Sequence, residues 1–146
     1  MSARPLRVAN CSGFYGDRLS AAREMVDGGP IDVLTGDWLA ELTMLILARN
    51  RLRSPAVGYA RTFVTQMEQV MGDCLDRGIK VVSNAGGLAP QACAEAVVTV
   101  GERLGLRPTV ATVNGDDLMP RLEELRAGRE TTVPLDDVAR QHGLED

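Results

Sequence analysis

The groups in this chain best suited to chemistry are carboxylates and small polar residues set at the ends of apolar runs. Asp37 and Glu41 stand four residues apart, so a continuous helix would place them one turn apart on one face. Glu41 also interrupts an otherwise apolar stretch. An ionised carboxylate in a buried helix is costly unless it is paired, metal-bound or protonated. Glu41 is therefore either an acid or base, or the partner of an arginine such as Arg7, Arg18 or Arg61. Asp37 has a structural alternative as a helix N-cap. The usual capping box does not explain Glu41, because Ala40 stands three residues after Asp37.

Three further polar clusters follow short apolar runs. In Asn84-Ala85-Gly86-Gly87, two glycines let the backbone approach a ligand, and the next helix would offer unpaired amides to a phosphate, carboxylate or thioester oxygen. A tight strand-to-helix turn explains the same glycines. Asn10-Cys11-Ser12-Gly13 is the second cluster; its Asn10, Ser12 and Gly13 are candidate binding groups, while Cys11 reads as a buried thiol. Asn114-Gly115-Asp116-Asp117 is the third, with Asn114 to bind and Asp116 to supply a base or a hard oxygen ligand. Asp117 also fits a helix cap.

A strand-then-helix alternation positions these groups. Leu6–Ala9, Ile31–Leu34, Ile79–Val82 and Thr109–Val113 read as strands, each leading into a polar loop. Helices are expected over about Arg18–Val26, Trp38–Arg51, the segment carrying Phe63, Val64, Met67, Val70, Met71, Cys74 and Leu75, the segment from Pro90 to Leu104, and Leu118–Arg126. The nearly all-apolar second helix should be buried. Alternating units of this kind imply a Rossmann-like open parallel sheet with helices on both faces. Half of a β/α barrel is the alternative; a whole barrel of about 250 residues does not fit. In either architecture the loops meet at the carboxyl ends of the strands, where ligands bind. Residues 1–126 would form this α/β domain of four βα units, and 127–146 a polar tail with one helical turn near Leu135–Gln141.

Composition narrows the function. With a formal charge of -4 and Lys80 as the one lysine, the chain has no basic footprint for nucleic acid. The GxGxxG and GxxxxGK[ST] nucleotide signatures are missing. Three cysteines without CxxC spacing point to a reducing compartment, hence a cytoplasmic setting, and the short apolar runs imply no membrane partner.

Four segments carry a resemblance to a known family. They are Asn10-Cys11-Ser12-Gly13-Phe14-Tyr15-Gly16-Asp17, Thr35-Gly36-Asp37-Trp38-Leu39-Ala40-Glu41-Leu42-Thr43-Met44, Val82-Ser83-Asn84-Ala85-Gly86-Gly87-Leu88-Ala89-Pro90 and Val113-Asn114-Gly115-Asp116-Asp117-Leu118. Across about residues 6 to 126 the chain resembles the N-terminal part of the acyclic terpene utilisation (AtuA-type) family. The resemblance implies a role in breakdown of acyclic terpenoids or related branched acids as coenzyme A thioesters. The family's main domain looks longer than this chain, which implies a fragment or one half of a split protein. Such a half would bare a sheet edge or apolar helix faces, predicting a homo-oligomer or a second subunit.

Two functions fit. One is an enzyme of the lyase or hydratase class acting on an acyl thioester or carboxylate. Asp37 or Glu41 would serve as acid or base, and the loop of Asn84, Gly86 and Gly87 would hold the anionic group. A divalent metal on Asp37, Glu41 and Asp116 is a lesser variant. The other is a non-catalytic ligand-binding or assembly subunit.

Overall fold

A computed structural model describes residues 4–127, apart from the side chains of Glu41 and Pro55. The chain divides into two compact units, one ending at Val113 and one starting at Asn114. In the first, β1 (Val8–Asn10), β2 (Val33–Gly36) and β3 (Lys80–Ser83) form a parallel sheet in that order. Ala9 lies opposite Leu34, and Leu34 opposite Val81. This is the open, Rossmann-like α/β sheet that the alternation of elements implies. Asp32 fixes the entry to β2: its carboxylate accepts the Arg7 amide at 2.9 Å and the Arg4 and Arg7 guanidinium groups. Those bonds, Arg7 foremost, hold the Asp32 carboxyl well below the usual carboxylate range.

α1 (Ala21–Asp27), α3 (Arg61–Asp76) and α4 (Pro90–Arg103) pack in a row with α3 in the middle. On α3, Phe63, Met67, Val70, Met71 and Cys74 are buried at the expected helical spacing, while Leu75 is exposed. α4 buries Cys93, Val97 and Val100, and Pro90 opens it, where no helical amide bond is lost. Leu34 and Ile79 join this core, and the Trp38 and Phe63 rings meet edge to face at 5.1 Å. Strand side chains alternate between faces, so Leu34 is fully buried while Val8 and Val82, of the opposite pleat, stand mostly in solvent.

Three elements depart from the sequence expectation. The helix expected over Trp38–Arg51 is α2 (Glu41–Arg53); Trp38 precedes it and is turned into the core. Nor is α2 buried: it hides Thr43 and Leu47, but Leu42, Leu45, Ile46 and Leu52 are exposed. Thr109–Val113, expected as a fourth strand, forms none. Its path is set by the end of α4, where the Leu106 amide donates to the Gly101 carbonyl at 2.8 Å. Pro108 lies so close to Gly101 that a side chain there would collide. The chain therefore doubles back, and Val110 and Thr112 line a shallow groove with Gln91, Ala94 and Glu95 of α4. Three βα units are seen among the described residues, and the first compact unit ends at Val113. The second unit holds a 3₁₀ turn, Met119–Arg121, and α5 (Leu122–Ala127), shorter than the Leu118–Arg126 helix expected. The helical turn expected near Leu135–Gln141 lies outside the described residues.

Candidate functional site

The loops after β1, β2 and β3 are stitched together at the carboxyl end of the sheet. From the β1 loop, the Ser12 carbonyl accepts the Asp37 amide at 2.9 Å, and the Cys11 amide donates to the Thr35 carbonyl at 2.8 Å. Asn84, after β3, bridges to the β2 loop with both ends of its side chain. Its Oδ1 accepts the Trp38 amide at 2.9 Å, and its Nδ2 donates to Asp37 Oδ1 at 2.7 Å. The same Asp37 oxygen accepts the Leu39 amide at 2.9 Å. Asn10, Gly13, Asp37 and Asn84 are exposed there, while Ser12 is buried beneath them. Residues far apart in sequence thus share one polar surface.

Electrostatics assign Asp37 a protonation state. The Asn84 side-chain donor, followed by the Leu39 amide, favours the charged form and lowers the Asp37 pKa. It is a carboxylate at neutral pH, able to accept a proton or a hydrogen bond rather than to donate one. Asp37 is not the cap of α2: Ala40 holds that position and makes no side-chain cap bond. A second carboxylate, Asp17, was not among the candidates. It accepts the Gly13 amide at 2.9 Å and the Arg18 amide at 2.7 Å, and these bonds lower its pKa. The available signal was an aspartate one helical turn after a glycine in a strand-end loop.

Most amides proposed to hold an anion are satisfied within the chain. Gly13 donates to Asp17, and the Ser12 amide to Asn10 Oδ1 at 3.3 Å. Ala85 donates to Ser83 Oγ, Gly87 to the Asn84 carbonyl and Leu88 to the Gly58 carbonyl. The glycines are packed as well. A Cβ on Gly86 would lie 2.9 Å from Pro90, and one on Gly87, where φ is +51°, would lie 2.5 Å from Leu47. The loop of Asn84, Gly86 and Gly87 therefore positions Asn84 against Asp37.

Glu41 opens α2 four residues beyond Asp37, at the helix end where negative charge complements the dipole. Because Asp37 precedes the helix, the one-turn relation expected of the pair does not apply, and Glu41 is the first residue of α2 rather than one within it. Arg7 and Arg18, expected as its partners, are engaged by Asp32 and Glu24. Asn114 and Asp116 are exposed and belong to the second unit, with no strand before them. Asp117 accepts the Met119 amide at 3.1 Å, but the cap position of the Met119–Arg121 turn is Leu118, so Asp117 is not the helix cap expected of it. Among the described residues, no group of three His, Cys, Asp or Glu side chains is placed to hold a metal ion. Cys11 is buried, which pushes its thiol up to about 11 and leaves it uncharged at neutral pH.

With this geometry in place, the comparison with known families is decisive for kinship. The model of the acyclic terpene utilisation family protein AtuA matches residues 6–143. The chain belongs to the AtuA family. Membership connects it with acyclic terpene utilisation. No curated protein and no solved structure matches it. In this AtuA-family chain the three segments that end β1, β2 and β3 are also the three that hydrogen-bond to one another. No helix among the described residues is long and apolar enough to cross a membrane.

Proposed function

We propose that the protein is an enzyme of acyclic terpenoid or branched acyl-coenzyme A catabolism, of the lyase or hydratase class, with its reacting centre at the Asp37–Asn84 junction. The observation that supports this reading most is the Asn84 amide, which anchors the Trp38 backbone while donating to the exposed, ionised Asp37. Hydration or elimination beside a thioester carbonyl requires a proton acceptor, and a carboxylate held in one orientation supplies it. Asp37 takes that role. Glu41, at the start of α2, is the second carboxylate and the proton donor. Asn84 positions Asp37, and the Asn10–Gly13 loop forms the neighbouring wall.

The test uses branched enoyl-coenzyme A thioesters, with loss of the conjugated thioester absorbance as the readout. Asp37→Asn and Glu41→Gln should each lower turnover by about 10²–10⁴-fold with little change in KM, as expected for loss of general acid or base catalysis. Turnover unchanged in both variants would remove the pair from the chemistry. A second reading, a non-catalytic ligand-binding or assembly subunit, draws support from the exposed apolar residues of α2 and from β3 as an edge strand among the described residues. It predicts binding of the same thioesters without turnover.

A further inference from the structure

α2 is apolar on two sides, and only one of them is covered by its own unit. Thr43 and Leu47 are buried, with Leu47 set against the Gly87 loop. On the opposite side Leu42, Leu45, Ile46, Arg49, Leu52 and Arg53 are all exposed. At 100° per residue these six positions fall within one arc of about 120°, a continuous stripe along the full length of the helix. Exposure reaches 67% for Leu42, 49% for Leu45 and 89% for Leu52. A helix apolar on both sides normally has both sides buried.

Charge and symmetry indicate what covers the bare side. Along α2 an acid comes first, at Glu41, and arginines come in the second half, at Arg49 and Arg53. If a second α2 crosses antiparallel with its midpoint at Leu47, Glu41 faces Arg53, Leu42 faces Leu52, and Leu45 faces the aliphatic stem of Arg49. The pattern is complementary to its own reverse, which is the requirement of a two-fold interface, where each contact is made twice. Antiparallel packing also sets the negative carboxyl end of each helix beside the positive amino end of the other. We propose that the Leu42–Arg53 stripe of α2 is a two-fold interface whose occupant is a second copy of this chain.

The proposal goes beyond the enzymatic reading; the two share Glu41 alone, and because the dimer is judged by sedimentation and not by turnover, either can fail without the other. Sedimentation of the full chain over a concentration series up to about 100 µM should give a reversible monomer–dimer equilibrium. Leu45→Glu should weaken the dimer by at least tenfold. Because residue 45 is half exposed, the buried Trp38 should keep its fluorescence and the chain its circular dichroism. Arg53→Glu should weaken the dimer similarly, and adding Glu41→Arg should restore it to within about threefold, a charge-reversal rescue expected only of facing residues. A wild-type monomer throughout the series overturns the proposal, as does a dimer indifferent to Leu45→Glu. That wild-type monomer is the result expected if residues 128–146 or another polypeptide is the cover instead.

Discussion

α3 and α2 are both rich in aliphatic side chains, and the structure treats them in opposite ways. α3 gathers Phe63, Met67, Val70, Met71 and Cys74 on one side and sinks that side into the core between α1 and α4. α2 spreads Leu42, Leu45, Ile46, Leu47 and Leu52 around its circumference, and only Leu47 of these is buried. Burial here follows the periodicity of the apolar residues and not their number. A helix with one apolar arc is satisfied by one neighbour, whereas a helix with two requires a second.

The largest expected effect that tests this contrast is Phe63→Ala. Losing the α3 ring that packs edge to face on Trp38 should destabilise the fold by about 3–5 kcal/mol in urea denaturation. Leu52→Ala on α2 should change monomer stability by no more than about 0.5 kcal/mol. Equal losses at the two positions would break the comparison. An intermediate effect is expected where α2 meets the polar loops. Gly87→Ala combines a left-handed backbone with a Cβ 2.5 Å from Leu47, and should cost about 2 kcal/mol, measured in the same way.

A smaller effect sharpens the description of the polar end. Asp37 has a lowered folded-state pKa, so its bonds to Asn84 and Leu39 stabilise the protein above its unfolded pKa, about 3.9. That contribution disappears as pH falls through the folded value. The stability difference between wild type and Asp37→Asn should therefore be constant from pH 7 to about 5 and shrink below about 4. A difference independent of pH would show that the carboxylate charge plays no part. The smallest effect concerns the thiols. Cys93, pushed up to about 11 by burial, should react with iodoacetamide at pH 7.5 far more slowly than a free thiol, and at the free rate once unfolded.

Much of the fold was legible in the residues because it depends on local pattern. The spacing on α3, Pro90 at the first position of α4, and the strand–loop–helix alternation through Ser83 all appear as the sequence implies. The expected grouping of Asn10, Ser12, Gly13, Asp37 and Asn84 follows from one topological rule, that loops after parallel strands meet at one end of the sheet. Thr109–Val113 was not legible in the same way. Its composition suits a strand, but a strand needs a partner, and the packing of Pro108 on Gly101 directs the chain back along α4 instead. The start of α2 was missed for a related reason: Trp38 is drawn out of the helical register by Asn84, a residue 46 positions away.

Residue types at short or fixed spacing were enough for the three strands, for α1, α3 and α4, for the polar character of the loops and for kinship with the AtuA family. Tertiary structure alone decided that Asn84 clamps Asp37 as a carboxylate, that the amides of Gly13 and Gly87 are taken by the chain's own acceptors, and that one apolar side of α2 is bare. These are outcomes of competition among distant groups for the same hydrogen bonds and the same buried surface. Such competition is resolved only when the chain closes on itself.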